Sequence, residues 1–142
     1  MQAQKLQYKT YEKKDFSHLK NLTGISDKTL EIHFALYAGY VTNTNTLNEK
    51  VIELTEAGKS GSPEYAELKR RYGFEYNGKV LHEYYFGNLK SGGSDEPKES
   101  STLGKAIADT YSSFEVWKND FMKVGAMRGV VWAILFQDPD TK

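Results

Sequence analysis

The stretch YNGKVLHEYYFGNL, residues 76–89, places one histidine among aromatic side chains in a segment whose apolar spacing is typical of a buried helix. Histidine near neutral pH can offer an uncharged nitrogen to a metal ion, so His82 is a candidate ligand. Considered alone, His82 fits a hydrogen-bonded core histidine better than a ligand. The choice between these two interpretations depends on the rest of the chain.

The composition excludes several classes of function. The chain has 142 residues, with 19 basic and 19 acidic side chains and no cysteine. The lack of cysteine excludes disulfides, thiolate metal sites and thiol catalysis, and the balanced charge gives no case for a nucleic-acid partner. No apolar run approaches the roughly 20 residues that span a bilayer, and the first residues lack the apolar core of a signal peptide. We therefore expect a cytoplasmic protein without a membrane partner.

Two amphipathic segments predict an antiparallel hairpin of long helices. Ser26 can cap the first helix, and apolar residues recur at helical spacing after it. Ser62 and Pro63 can open the second helix, which then runs to about Leu89. Glycines within a helix weaken it, so we expect a bend or a close helix contact at Gly73 and Gly78. The short loop between the segments makes an antiparallel arrangement the natural one.

A glycine- and serine-rich stretch divides the chain into two predicted domains. Residues 1–90 contain an extended lead-in, residues 1–24, followed by the helical hairpin. Residues 91–142 contain two short helices, the second with Ser112 as the N-cap of a capping box. They also contain a β-branched and aromatic run, about 129–137, that predicts a strand. The predicted class is α+β, mostly α in this chain, with an incomplete α/β domain after the hairpin.

The predicted strand lacks neighbours in this sequence. A strand as apolar as this one needs neighbouring strands at its edges and other elements packed on its faces. No other segment of the sequence is typical of a strand that could pair with it. We therefore expect that the chain is part of a longer protein, or that another chain supplies the missing strands.

Taken in order, these elements resemble the iron/manganese superoxide dismutase family. The resemblance implies a helical hairpin followed by an α/β domain with a three-stranded antiparallel sheet. It is carried by Glu31-Ile32-His33, by residues 40–45, by His82 with Tyr85 and Phe86, by residues 112–114 and by residues 125–135.

The resemblance implies a site for iron or manganese that disproportionates superoxide to oxygen and hydrogen peroxide. In the family, one histidine from each hairpin helix binds the metal, together with an aspartate and a histidine from the later domain. His33 and His82 match the two hairpin positions, whereas the motif with the other two ligands has no counterpart in these 142 residues. This chain would thus supply two of four ligands, and be inactive by itself. The resemblance also implies a homodimer or a completing C-terminal segment.

The same resemblance assigns roles to four aromatic residues. Tyr40 matches the tyrosine that lines the substrate funnel and takes part in the hydrogen-bond network to the metal-bound solvent, so it is the candidate catalytic residue. Tyr37, Tyr85 and Phe86 match residues around the metal ligands. All four would also serve as core aromatics in a helical hairpin without a metal.

The spacing between His33 and Tyr40 departs from the family, which usually has one more residue there. An alignment on Tyr40 would place Ile32 at the ligand position. We assign His33 because isoleucine cannot bind a metal and a helix can absorb a difference of one residue through a bulge. The alternative function is a non-catalytic structural or interaction protein that keeps the fold and has lost the metal.

Overall fold

The computed structural model describes residues 6–129 and 132–140. They form two compact units, Met1–Gly92 and Gly93–Lys142. The division into domains 1–90 and 91–142 stays a prediction. The described residues contain helices α1 (Asp27–Glu56), α2 (Pro63–Asn88), α3 (Thr102–Tyr111) and α4 (Phe114–Gly125).

Helices α1 and α2 pack against each other as a hairpin, which confirms the predicted architecture of the first unit. Both begin at the predicted caps. The Ser26 Oγ accepts the Thr29 N–H at 3.1 Å, and the Ser62 Oγ accepts the Tyr65 N–H at 3.1 Å. Each bond satisfies a backbone donor that has no partner within the first turn of a helix, so the sequence defines both starts locally.

The segment before α1 lies along the hairpin. The Tyr11 N–H donates to the Asn45 Oδ1 at 2.9 Å, and the Asn45 Nδ2 donates back to the Tyr11 carbonyl oxygen at 2.9 Å. Further along, Leu19 is buried in one cluster with Leu30 of α1 and Phe86 of α2. This lead-in therefore contributes side chains to the core of the first unit.

In the second unit, the predicted cap of α4 is wrong by one residue. Ser112 adopts a left-handed conformation (φ 69°) at the end of α3. Ser113 is extended and its Oγ accepts the Val116 N–H at 3.2 Å, which makes it the N-cap. Only two residues separate the helices, so the first must end α3 and only the second can adopt the extended cap geometry.

The predicted strand at about 129–137 is not formed in the part of it that the structure describes. Residues 132–138 have no regular secondary structure, and residues 130 and 131 lie outside the described residues. A strand is held by backbone hydrogen bonds to a neighbouring strand, and the described segments of this chain offer none beside it. The prediction of a mostly helical chain is confirmed. No helix among the described residues is long and apolar enough to span a membrane.

Candidate metal centre

The two candidate ligands meet between the hairpin helices. His33 projects from α1 and His82 from α2, and their ring centroids lie 5.0 Å apart with an angle of 79° between the ring planes. His82 is 4% exposed, whereas His33 is half-buried. The hairpin therefore brings together two imidazoles that are 49 positions apart in the numbering, one of them deep in the unit.

Both imidazoles are suited to the neutral form that a metal requires. The His82 Nδ1–H donates to the Gly78 carbonyl oxygen at 2.6 Å, so the lone pair of the neutral ring lies on Nε2. A backbone carbonyl that fixes the tautomer in this way is common behind metal-binding histidines. Burial lowers the pKa of His33, and the nearby His82 lowers it further. At neutral pH His33 therefore favours its uncharged form.

Tyr40 reaches the same site as His33, because the seven-residue spacing places both on one face of an α-helix. The Tyr40 and His82 ring centroids lie 5.1 Å apart. Helix α1 is α-helical throughout, so the shorter spacing in this chain needs no bulge. Ile32, the alternative at the ligand position, is 55% exposed. The structure thus brings His33 and Tyr40 together at His82, and it leaves Ile32 outside.

Of the two glycines where the sequence predicts a bend or a close helix contact, Gly78 makes a close contact, whereas nothing lies within 4 Å of a Cβ atom built on Gly73. A Cβ atom built on Gly78 would overlap the Tyr40 ring and lie only 2.8 Å from its Cγ. The same glycine supplies the carbonyl oxygen that holds His82. One residue therefore sets both the orientation of the imidazole and the room for the tyrosine.

The remaining predicted residues surround the histidine pair. The Tyr37 ring lies 6.3 Å from that of His82, and the rings of Tyr85 and Phe86 lie 5.1 Å and 5.5 Å from that of His33. All six residues singled out in the sequence thus belong to one cluster. Their roles as ligands, catalytic residue and pocket wall stay predictions.

A groove on the surface of the first unit borders this cluster at Tyr40. It has a volume of about 520 Å³, and Tyr40 lines it together with Ile32, Leu36 and Phe74. Tyr40 therefore contacts His82 on one side and faces an open, mostly apolar depression on the other.

Glu83 is the residue of this region whose role sequence reasoning missed. Its carboxylate accepts a hydrogen bond from the Tyr37 hydroxyl at 2.9 Å and pairs with Lys14 and Lys79, each at 2.8 Å. The i, i+4 spacing of Lys79 and Glu83 could have indicated their ion pair, but nothing in the sequence pointed to Lys14.

The surroundings of Glu83 and Tyr37 shift both of their pKa values. Burial would raise the pKa of Glu83, but hydrogen bonds from Lys14, Lys79 and Tyr37 outweigh it and lower that pKa below its usual value. Burial raises the pKa of Tyr37 to about 12, and the Glu83 carboxylate acts in the same direction. At neutral pH the carboxylate is charged and the phenol is protonated, so the hydroxyl donates to the carboxylate.

Among the described residues, the candidate ligands number two, His33 and His82. No group of three or more His, Cys, Asp or Glu side chains lies within reach of one metal ion in residues 6–129 and 132–140. The donors that are present fit a metal site, since they are two neighbouring imidazoles and the His82 ring is held from behind by the Gly78 carbonyl oxygen. They fit it as part of a coordination shell.

Comparison with known proteins places this geometry in a family. The chain is 41% identical to the "Superoxide dismutase [Fe]" of Aquifex pyrophilus over 132 residues, which is 89% of this chain and 61% of that protein. The Aquifex aeolicus "Superoxide dismutase [Fe]" is also 41% identical, over 85% of this chain and 59% of its own length. "Superoxide dismutase [Mn] 2" of Haloferax volcanii is 33% identical over 80% of this chain and 55% of its own length.

The chain spans less than two thirds of the length of each of these relatives. No family model matches it. Identity of 33–41% over most of the chain is shared with both iron and manganese enzymes. Over the stretch that it shares with them, the chain belongs to the iron/manganese superoxide dismutase family.

Proposed function

We propose that His33 and His82 are two ligands of an iron or manganese ion in a superoxide dismutase. The observation that carries this proposal is the meeting of the two imidazoles, 5.0 Å apart, between helices α1 and α2. Histidines on facing helices are a standard way to build a metal site in a helical bundle. The relatives are named for iron and for manganese, and this chain does not favour one over the other. When bound, such a metal supplies the one-electron redox cycle that converts superoxide into oxygen and hydrogen peroxide.

The other residues of the cluster orient groups and exclude water. Tyr40 lies between His82 and the surface groove, a position suited to a catalytic residue that controls small-molecule access and donates a hydrogen bond near the metal. Tyr37, Tyr85 and Phe86 form the wall behind the histidines. A dry wall of this kind lowers the local dielectric constant and tunes the potential and acidity of a metal centre.

Two nitrogens do not complete the site. Sites of this kind normally have three or more protein ligands, and the described residues bring together only two. We therefore propose that the other ligands come from a completing C-terminal segment or from a partner chain, and that the assembled protein is a homodimer. The 142-residue chain by itself should bind metal weakly and have little activity. The cytoplasmic location stays a prediction.

A fusion protein tests the proposal. The chain is extended with the part of the Aquifex pyrophilus relative that follows the shared stretch, and metal content and superoxide dismutation are measured for both proteins. We expect about one iron or manganese per fusion chain with measurable activity, and little of either in the unextended chain. His82→Ala should abolish both in the fusion. His18→Ala, which removes an exposed histidine of the lead-in, is the matched control and should change neither.

Two outcomes would contradict parts of this proposal. Stoichiometric metal and activity in the unextended chain would show that the site needs no further ligands. A folded fusion without metal, in which His82→Ala only lowers stability slightly, would favour the second candidate. That candidate is a non-catalytic scaffold of the same fold, and the restriction of the described ligand set to two histidines is the observation in its favour.

A further inference from the structure

One carboxylate joins three segments of the first unit beside the histidine pair. Glu83 of α2 receives the ammonium group of Lys14 from the lead-in, that of Lys79 from α2, and the hydroxyl of Tyr37 from α1. In sequence Glu83 follows His82 directly. This junction, defined as Lys14, Tyr37, Lys79 and Glu83, therefore ties the lead-in to both helices next to a candidate metal ligand.

The junction leaves the Tyr37 hydroxyl no freedom. It accepts the backbone N–H of Lys14 at 3.1 Å while it donates to the Glu83 Oε1 at 2.9 Å. Tyr37 is 1% exposed, and its ring packs between His82, at 6.3 Å, and Phe86, at 6.0 Å. Because its hydroxyl is held by these two bonds, the Tyr37 ring is held in place beside His82.

The lead-in adds a second contact to the same wall. Two residues beyond Lys14, the Phe16 ring lies 5.8 Å from that of Tyr37 and 5.0 Å from that of Phe86. Lys79 also lies over the Tyr11 ring, at 4.7 Å from its centroid. The position of the lead-in at Lys14 is thus coupled to the aromatic residues that surround His82 and His33.

The stability of the fold does not by itself explain why Lys79 and Glu83 are charged residues. The side chains of Lys79 and Glu83 are 9% and 12% exposed. The desolvation of a buried ion pair can exceed its Coulomb attraction, and apolar residues of similar size often stabilise a fold as well or better. The Glu83 carboxylate accepts from three donors, and these directed bonds restrict each donor group to one orientation.

We propose that Lys14 and Glu83 are positioning residues for the histidine pair, because they lock Tyr37 against His82 and make the N-terminal lead-in part of the metal site. The proposal deepens the proposed function and rests on it, since it takes the two histidines to be ligands. Removal of the junction should loosen the imidazoles and weaken metal binding without removing any ligand.

Nuclear magnetic resonance of the full 142-residue chain tests the proposal. Proton contacts between the rings of His82, His33 and Tyr37 are measured in Lys14→Ala and Glu83→Gln, and Zn²⁺ alone is titrated while the two histidine signals are followed. We expect Glu83→Gln to lose ring contacts to His82 and to bind Zn²⁺ about tenfold more weakly, the lower end of the usual effect of residues behind metal ligands. Lys14→Ala removes the ammonium group but keeps the backbone N–H that Tyr37 accepts, so we expect a smaller change in the same direction. Lys14→Arg should restore both properties.

Lys13→Ala is the matched control, because it removes an exposed lysine next to Lys14 in the lead-in. It should change neither readout. The Lys14 side chain is itself 63% exposed, so its variant should fold even if Glu83→Gln does not.

The two readouts separate the two proposals. Unchanged ring contacts in Lys14→Ala and Glu83→Gln, with only a lower unfolding free energy, would overturn the positioning role and leave a structural junction. If the unmodified chain and the completed fusion both fail to bind metal at the two histidines, the proposed metal function is wrong. In that case the ring contacts still decide whether the junction orients His82.

Discussion

The two units of the chain differ in how many of their large apolar side chains are buried. The first unit buries a core that includes Leu19, Leu30, Tyr37, Val41, Val51 and Phe86. In the described part of the second unit, Ile107 is the one large apolar residue that is fully buried. Many others there are exposed, namely Leu103, Val116, Met122, Val124, Met127, Ile134, Leu135 and Phe136. Apolar surface of that extent is typical of a face that another segment or chain covers.

This difference explains where the candidate site can be preformed. The two histidines lie in the unit that has its own core, so their geometry follows from packing within residues 6–92. The second unit presents apolar surface without comparable burial. The core of the first unit thus supports the histidine pair, whereas the described part of the second unit is less closely packed.

Phe86→Ala is the largest test of this contrast. Phe86 is 1% exposed and packs against rings of the lead-in, α1 and α2, so truncation should lower the free energy of unfolding by roughly 3–5 kcal/mol. Phe136→Ala in the second unit removes a ring that is 81% exposed, and it should change stability by less than about 0.5 kcal/mol. Urea unfolding followed by circular dichroism measures both. Equal losses at the two positions would contradict the contrast in packing.

Gly78→Ala tests the close contact of the helices that carry the site. The added methyl would overlap the Tyr40 ring, so we expect a loss of roughly 1–3 kcal/mol in unfolding free energy and altered Tyr40 ring signals. Gly73→Ala on the same helix is the matched control. Nothing lies within 4 Å of a Cβ atom there, so alanine should stabilise the chain by up to about 1 kcal/mol. A stabilising Gly78→Ala would show that the helices are further apart than described.

The pH dependence of stability tests the Glu83 junction, with the smallest expected effect. The folded state lowers the pKa of Glu83 below 4.5, so its contribution is present above that value and is lost as the pH falls through the folded pKa. The wild type should exceed Glu83→Gln in unfolding free energy by about 1 kcal/mol at neutral pH, and the difference should shrink in acid. Urea unfolding at several pH values measures this. A difference that stays constant down to strong acid would contradict a charged, paired Glu83.

Local signals in the sequence were sufficient for the first unit's helices. Ser26, Ser62 and Pro63 act through bonds and dihedral angles within one turn, so the helix starts could be predicted from the residues alone. The same logic failed by one residue at α4. Ser112 and Ser113 are chemically identical, and only the backbone between α3 and α4 decides which of them is extended.

Longer-range features could be predicted only in part. The aromatic and β-branched run at about 129–137 suits a strand, but residues 132–138 do not form one, because strand pairing depends on a neighbour and not on the run itself. The cluster around His82 was predicted through the family pattern and not from spacing alone. The spacing of Lys79 and Glu83 is visible in the sequence, whereas the partners that approach Glu83 from the lead-in and α1 are not.

The sequence by itself determined the hairpin, its caps and the placement of one histidine on each helix, because these depend on periodicity and on bonds between near neighbours. Only the tertiary structure decided that His33 and Tyr40 both meet His82, that the close contact predicted for the glycines of α2 forms at Gly78 and not at Gly73, and that Lys14 reaches Glu83. Those contacts join segments far apart in the chain. Their formation depends on how helix faces pack, and no local pattern encodes that packing.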